Sequence, residues 1–172
     1  MTDVGGEPPL NAEALLQALA EKHVAFVIIG GFALAAHGVV RGTKDIDIVP
    51  DPRPDNIRRL AGALRALNAE VMLADDFDPG ELGIEPDEDG LALGGNRVLR
   101  TRAGRLDVMQ DVAGTKGYGA LREGAVVRDV PGAGPFHFAG LDDLIAMKVA
   151  AGRPQDEIDI ASLERARRPR PR

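Results

Sequence analysis

The chain has 172 residues, of which 44% are hydrophobic and 28% charged, an ordinary globular composition that favours a single domain. It contains no cysteine, which excludes disulfides and thiolate metal sites. Its net charge of −6 disfavours contact with nucleic acid outside a local basic patch. No apolar run suits a signal core or a membrane span, so we expect a cytoplasmic protein with no membrane partner.

Helices and strands are predicted to alternate in the first half of the chain. Residues 1–10 are expected to be disordered, and a single domain is expected over 11–165. The predicted elements of this half are a helix over 11–23 capped by Asn11, a buried strand over 24–29, a short helix over 32–37, a strand over 45–49 and an amphipathic helix over 54–68.

The second half is predicted to be more antiparallel and to end in helices. The acidic segment 75–89 is interpreted as a loop, and residues 166–172 as a basic, disordered tail. The predicted elements are strands over 91–93 and 98–101 joined by Gly94-Gly95-Asn96, strands over 105–111, 125–130 and 135–138, and helices over 141–151 and 154–166. The fold class is therefore α/β, in the α+β sense: a mixed β-sheet flanked by helices, with a C-terminal helical pair.

The stretch 29–49 combines two features that suit phosphate chemistry. A strand ends in Gly30-Gly31, which presents backbone N–H groups at the start of a helix and suits an anion. Asp45 and Asp47 follow on the next strand, where their side chains share one face about 6–7 Å apart. Two carboxylates this close repel each other unless a cation lies between them, and oxygen ligands suit magnesium. The stretch thus predicts a phosphate cradle beside a metal site.

A third carboxylate is expected from the strand over 105–111. Leu106 and Val108 face one side of this strand, and Asp107 faces the other. If the strand neighbours the one with the two aspartates, Asp107 completes a three-carboxylate cluster that can hold two magnesium ions. Asp111 is the competing candidate, and a surface acid is the alternative interpretation of Asp107.

Charged residues fall on the apolar stripes of both C-terminal helices. At about 100° per residue, Lys148 lies on the stripe of its helix, and Asp156 and Asp159 share the stripe of the next one. Buried charges are costly unless they are paired or liganded. One interpretation is a structural pair that ties the two helices together. The other is that Lys148 reaches nucleotide phosphates and that Asp159 or Asp156 positions it, and the two are compatible.

Several weaker candidates lie around these motifs. Arg41 and Arg153 are candidates for phosphate contact, with surface positions as the alternative. Thr43 is expected to cap or hydrogen-bond near the metal strand, and His37 to be a packing or hydrogen-bonding residue rather than a base. The five arginines between positions 165 and 172 are interpreted as a solvated end, with contact to RNA phosphates as the alternative.

These motifs resemble the DNA polymerase beta-type nucleotidyltransferase superfamily. Its signature is a hydrophobic residue followed by Gly-Gly or Gly-Ser, then Asp-hydrophobic-Asp after roughly a dozen residues, then a third acid on a later strand. The matching residues here are Ile29-Gly30-Gly31, Asp45-Ile46-Asp47 and Asp107. Gly31 stands where many members have a serine, so a phosphate-binding hydroxyl is absent.

Two further segments resemble the AbiEii/MenT toxin-like branch of the superfamily. They are Arg-Gly-Thr-Lys-Asp at 41–45 and the run 142–148 followed by Arg153 and the acids at 156 and 159. The resemblance covers roughly residues 12–165. It implies that Asp45, Asp47 and Asp107 bind metal, as two Mg²⁺ ions, and act with Lys148 in catalysis. The residues expected to bind nucleotide are Gly30, Gly31, Arg41, Thr43, Lys148, Arg153, Asp156 and Asp159.

The resemblance also implies an activity. It is the magnesium-dependent transfer of a nucleoside monophosphate from a nucleoside triphosphate to a hydroxyl. The leading acceptor is a tRNA 3′ end, in a toxin–antitoxin system with a cognate antitoxin as partner. The alternatives are a nucleotidyltransferase that modifies small-molecule antibiotics and a non-catalytic, nucleotide-binding regulatory protein. The presence of all three aspartates argues against the regulatory protein.

Overall fold

The computed structural model describes residues 6–73 and 79–168. Its strands are β1 (Phe26–Ile29), β2 (Asp45–Pro50), β3 (Glu70–Val71), β4 (Asn96–Thr101), β5 (Gly104–Met109), β6 (Val126–Val130) and β7 (Gly134–Phe138). Its helices are α1 (Ala12–Glu21), α2 (Gly30–Leu34), α3 (Pro54–Ala66), α4 (Pro79–Leu82), α5 (Glu88–Ala92), α6 (Tyr118–Gly124), α7 (Leu141–Ala151) and α8 (Pro154–Arg167), and a 3₁₀ turn, Ala35–His37, follows α2.

The strands form one sheet in the order β3-β4-β5-β2-β1-β7-β6. β2 lies at its centre, antiparallel to β1 and parallel to β5. β1 and β7 are also parallel, and the three remaining pairs are antiparallel. The predicted mixed sheet flanked by helices is therefore confirmed. The expected neighbourhood of the two aspartate-bearing strands is confirmed as well, because β2 and β5 pair directly.

The apolar faces predicted for the first and third helices form part of the core. The Asn11 side chain accepts the N–H of Ala14 and begins α1, as predicted. Leu15, Leu16 and Leu19 of α1 have no exposed surface. The buried inward residues of α3 and the turn after it are Ile57, Leu60, Leu64 and Leu67. These two helices cover strands whose own apolar residues complete the core.

The predicted C-terminal helical pair is present as α7 and α8. Gly152 adopts the left-handed conformation, with φ of 62°, and ends α7. Pro154 then begins α8 at a position where its missing N–H costs no hydrogen bond. None of the helices within residues 6–73 and 79–168 is long and apolar enough to cross a membrane.

The predicted strand over 91–93 is wrong, because this segment belongs to a helix. The Asp87 side chain accepts the N–H of Gly90 and begins α5, whose Leu91 is buried. Short apolar runs fit a strand and a buried helical turn equally well. The predicted hairpin at 94–96 is wrong as well. β4 begins at residue 96, and the hairpin that it forms with β5 turns at 102–103.

Other local differences concern segments that were predicted to lack regular structure. α4 and α5 interrupt the acidic segment 75–89, of which residues 75–78 lie outside the described residues. β3 and α6 also form where no element was predicted. α8 continues to Arg167, so the tail predicted from 166 begins later, and residues 169–172 lie outside the described residues. At the other end, Leu10 packs against the core although 1–10 was predicted to be disordered.

Replacing Asn56 by alanine is expected to destabilise the fold by about 2–4 kcal/mol. Asn56 is fully buried on α3, accepts the N–H of Ala25 and donates to the carbonyls of Ala25 and Asp51, at 2.7–2.9 Å. Alanine would remove the partner of the Ala25 N–H and of the Asp51 carbonyl, whereas the Ala25 carbonyl would keep the N–H of Asp51. The measurement is the free energy of unfolding in urea, with Asp55→Ala, in an exposed ion pair to Arg59, as control. An equal loss in both variants would contradict the prediction.

Candidate active site

A cavity of about 580 Å³ opens where the ends of the central strands meet α7 and the start of α8. It brings together most of the residues selected from the sequence: Gly30, Gly31, Arg41, Asp45, Asp47, Asp107, Lys148 and Arg153 all line it. The other selected residues do not line the cleft but contact residues that do: Thr43 contacts Asp45, Asp156 contacts Lys148, and Asp159 contacts Lys148 and Arg41. The remaining wall is largely apolar and comes from Met109, Val112, Leu144 and Met147. We refer to this cavity as the cleft.

The Gly30-Gly31 turn forms one wall of the cleft. Gly30 adopts a positive φ of 69°, and a Cβ there would collide with the Asp47 carboxylate. The turn and the acid therefore pack directly against each other, which only glycine permits. A Cβ at Gly31 would lie 3.0 Å from the Arg41 guanidinium and 3.5 Å from the Thr43 hydroxyl. α2 has only five residues, so its macrodipole is small, and the cation beside the turn is Arg41.

Gly30→Ala is expected to reduce the nucleotidyl transfer predicted from the sequence by at least about 100-fold. Alanine would have to adopt a left-handed backbone here, and its methyl group would occupy the space of the Asp47 carboxylate. Gly31→Ala is the matched control. Its methyl group comes close to the flexible end of Arg41 and makes ordinary van der Waals contact with Thr43, so we expect a loss below about tenfold. Steady-state assays of the two folded variants measure this, and equal losses would contradict the interpretation.

The three aspartates lie on adjacent parallel strands. Asp47 on β2 stands in register with Asp107 on β5, and Asp45 stands in register with Arg105. The Thr43 hydroxyl donates to the backbone carbonyl of Asp45, at 2.9 Å, and lies 3.2 Å from its carboxylate. This confirms the hydrogen-bonding role expected for Thr43 near the strand. The register places four ionisable side chains on one face of the sheet.

The electrostatics of Asp47 differ from those of an ordinary carboxyl. Burial, and then the charges of Asp45 and Asp107, raise its pKa from 3.8 to about 7. Within the described part of the chain, no hydrogen bond or ion pair engages its carboxylate. A cation bound here would offset the free-energy cost of ionising Asp47 in this buried position. The charges of Arg105 and Arg153 offset this rise in pKa only in part, and the oxygen-only donors thus fit a hard divalent cation such as magnesium.

Arg105 lines the cleft but was not among the candidates selected from the sequence. Its guanidinium donates to both Asp107 oxygens, at 2.9 and 2.8 Å, and lies 3.6 Å from the Asp45 carboxylate. The Asp107 hydrogen bond raises the pKa of Arg105, which keeps the guanidinium charged. The signal was available, because Arg105 and Asp107 are two residues apart and must share a face of the strand.

The expected convergence of three carboxylates on one metal remains a prediction. In residues 6–73 and 79–168, no group of three or more His, Asp or Glu side chains is arranged to hold a metal ion. Asp107 faces the same cleft as Asp45 and Asp47, but its two oxygens are bonded to Arg105. Asp111, the competing candidate, lies beyond the end of β5, exposed, where its backbone pairs with the Asn96 side chain.

Lys148 is buried between two acids of the neighbouring helix. It is 6% exposed, and its ammonium lies 2.7 Å from Asp159 and 3.3 Å from Asp156, which are 2% and 1% exposed. The predicted burial and pairing of Lys148 are therefore confirmed. Burial acts to raise the pKa of Asp156, but hydrogen bonds from Arg153 and Lys148 outweigh it and hold that pKa below its usual value.

Two arginines complete the cationic side of the cleft. Arg41 lies 3.6 Å from Asp159, and Arg153 lies 2.9 Å from Asp156, so each is tied to the pair that holds Lys148. Both line the cleft, and the Arg153 side chain is 71% exposed. Three cations thus share two buried carboxylates, which leaves a net positive charge facing the acidic strands. By contrast, His37 bonds the Ala139 carbonyl oxygen at 2.8 Å, as expected for a packing residue.

No protein-family model and no curated protein sequence matches the chain. Among solved structures, it is similar to ANT(2″)-Ia in complex with adenylyl-2″-tobramycin, with 15% sequence identity, 88% of this chain and 93% of that chain covered, and a TM-score of 0.47.

Proposed function

We propose that this protein is a magnesium-dependent nucleotidyltransferase that moves a nucleoside monophosphate from a nucleoside triphosphate to a hydroxyl. The observation that carries the proposal is the division of one cleft into an acidic and a cationic wall. The acidic wall consists of Asp45, Asp47 and Asp107, and the cationic wall of Arg41, Lys148 and Arg153. Metal-assisted phosphoryl chemistry needs both kinds of group within reach of one ligand.

Each wall has a separate task in this proposal. Arg41 and Arg153 bind triphosphate oxygens on the cationic wall, where Arg41 lies beside the Gly30-Gly31 turn. Lys148, held by Asp156 and Asp159, adds positive charge that cannot move away when the ligand leaves. Asp45, Asp47 and Asp107 would hold Mg²⁺. When bound, this ion neutralises phosphate charge and lowers the pKa of the attacking hydroxyl.

The acceptor that we propose first is a tRNA 3′ end, in a toxin–antitoxin setting with a cognate antitoxin. It is supported by a second groove of about 410 Å³ that His37, Arg165 and Arg168 line, near the loop that carries Arg41. A chain with net charge −6 needs such a local basic patch to approach RNA phosphates.

A cationic small molecule, such as an aminoglycoside, is the second candidate acceptor. One observation favours it: Asp111 adds a fourth carboxylate to the cleft, next to Asn96. A carboxylate beside an amide side chain can bind amino and hydroxyl groups of a small polar ligand. It would also repel the phosphates of an RNA end.

The decisive experiment incubates the protein with Mg²⁺, each of the four labelled nucleoside triphosphates and either total tRNA or a panel of aminoglycosides and lincosamides. Label on the tRNA 3′ end supports the first acceptor, and label on a small molecule supports the second. The control is Asp129→Asn, on an exposed position of β6, which should retain activity. Triphosphate binding without transfer to any acceptor would overturn the proposal and favour a regulatory protein.

A further inference from the structure

Arg105 engages the acidic wall more completely than any other residue of the cleft. Its Nε donates to Asp107 Oδ1 at 2.9 Å, and its Nη2 donates to Asp107 Oδ2 at 2.8 Å. Nε also lies 3.6 Å from Asp45 Oδ2. Two parallel hydrogen bonds between a guanidinium and a carboxylate form a strong, directional pair. Both carboxylate oxygens of Asp107 are therefore engaged by an internal cation.

The strand register explains why the pair forms here. Arg105 and Asp107 share one face of β5, and β2 places Asp45 and Asp47 opposite them. Neighbouring strands lie about 4.8 Å apart, so the four side chains occupy one small patch. Three carboxylates and one guanidinium leave the patch with a net charge of −2, whereas without Arg105 it would be −3. Arg105 thus compensates part of the repulsion that the acids would otherwise feel.

We propose that Arg105 is an internal counterion that competes with a divalent cation for Asp107, so that the third carboxylate becomes available only when the guanidinium is displaced. The inference rests on the proposed function for the presence of a metal at this patch. A guanidinium bonded to Asp107 blocks its oxygens and also repels a second cation in the same patch. Arg105 therefore lowers the metal affinity of the nucleotide-free protein while it keeps the three acids in place.

The displaced guanidinium has a destination within the same cleft. The Arg105 side chain is 34% exposed and lines the cleft together with Gly31, Arg41 and Arg153. A triphosphate bound there offers oxygens in place of those of Asp107. Metal and triphosphate would then favour each other's binding. The triphosphate would draw Arg105 away from Asp107 and so free this carboxylate for the metal, and a metal on Asp107 would leave Arg105 free to bind the triphosphate.

The test is a titration of the nucleotide-free protein with Mn²⁺ alone, in which the electron paramagnetic resonance signal reports the free ion. Arg105→Gln is expected to bind Mn²⁺ at least about tenfold more tightly than the unaltered protein, since it removes one cation and frees Asp107. Adding Asp107→Asn to Arg105→Gln should abolish most of this gain. The control is Arg128→Gln on the edge strand β6, which removes an exposed arginine away from the patch and should leave the affinity unchanged.

A second readout is thermal stability. Mn²⁺ should raise the melting temperature of Arg105→Gln by more than that of the unaltered protein, because tighter binding to the folded state stabilises it more. If Arg105→Gln does not fold, Arg105→Lys takes its place. Lysine keeps the charge without the two-pronged contact, and the expected gain in affinity is about threefold.

The outcomes separate this inference from the proposed function. Equal or weaker Mn²⁺ binding by the folded Arg105 variants, or a gain that persists in the double variant, would overturn the role of Arg105 even if transfer activity is found. The expected gain together with no transfer to any acceptor would support Arg105 as the competing counterion and overturn the nucleotidyltransferase proposal. Absence of Mn²⁺ binding in every form would also overturn the inference.

Discussion

Asp47→Asn is expected to reduce nucleotidyl transfer by at least about 1,000-fold and, at the same time, to stabilise the metal-free protein at pH 8. Activity falls because the substitution removes a charged oxygen ligand. The fold is retained because the packing of the strand is unchanged. Stability rises because the neutral amide avoids the burial and carboxylate repulsion that raise the Asp47 pKa to about 7. A side chain that opposes folding at neutral pH is typical of a site whose cation comes from outside the fold.

The sign of the pH dependence follows from the direction of this pKa shift. Folded Asp47 holds its proton up to about pH 7, whereas the unfolded carboxyl loses it near pH 3.8. The folded state thus binds more protons in that window, and the stability contributed by Asp47 falls as pH rises through it. The advantage of Asp47→Asn should be near zero at pH 4 and reach roughly 2–3 kcal/mol above pH 7.

The measurement is the free energy of unfolding from pH 4 to pH 9 in the presence of a chelator. A second series without chelator compares samples with and without added Mg²⁺. Asp129→Asn, at an exposed position of β6, is the control and should show no such trend. Mg²⁺ should stabilise the unaltered protein and leave Asp47→Asn unaffected. A variant that is less stable than the unaltered protein at pH 8 would contradict the assigned electrostatics of the site.

Lys148→Met is expected to abolish nucleotidyl transfer and also to lower the free energy of unfolding by about 3–5 kcal/mol. Lys148 is the cation between two carboxylates that are almost fully buried. Its removal leaves Asp159 with a 3.6 Å contact to Arg41 and a hydrogen bond from Gln155, and leaves Asp156 with Arg153.

A double variant separates the structural role of Lys148 from its functional one. Lys148→Met with Asp159→Asn removes one buried charge of each sign, so the free energy of unfolding should recover by about 2 kcal/mol relative to Lys148→Met. Transfer activity should not recover, since the cationic charge on the phosphate wall is still missing. Restored activity in the double variant would show that Lys148 acts only by holding α7 and α8 together.

The local sequence determined much of the architecture and most of the cleft. Asn11 and Pro154 mark helix starts at the residues where α1 and α8 begin, because capping and proline effects act over a few residues. The spacing of Asp45 and Asp47 placed both on one face of β2 by the two-residue period of a strand. The wheel position of Lys148 predicted its burial, since an amphipathic helix turns a fixed face to the core.

The tertiary structure decided the features that depend on contacts between distant segments. The segment around Leu91 became a helix rather than a strand, because the Asp87 cap and packing against α3 outweigh an ambiguous apolar run. The pairing of β2 with β5 could be stated only as a condition, and it sets Arg105 opposite Asp45 and Asp107 opposite Asp47. The raised pKa of Asp47 and the Arg105 contact both arise from that register. Side-chain periodicity is a local property of a strand, whereas the charge that each group experiences depends on which strand lies beside it.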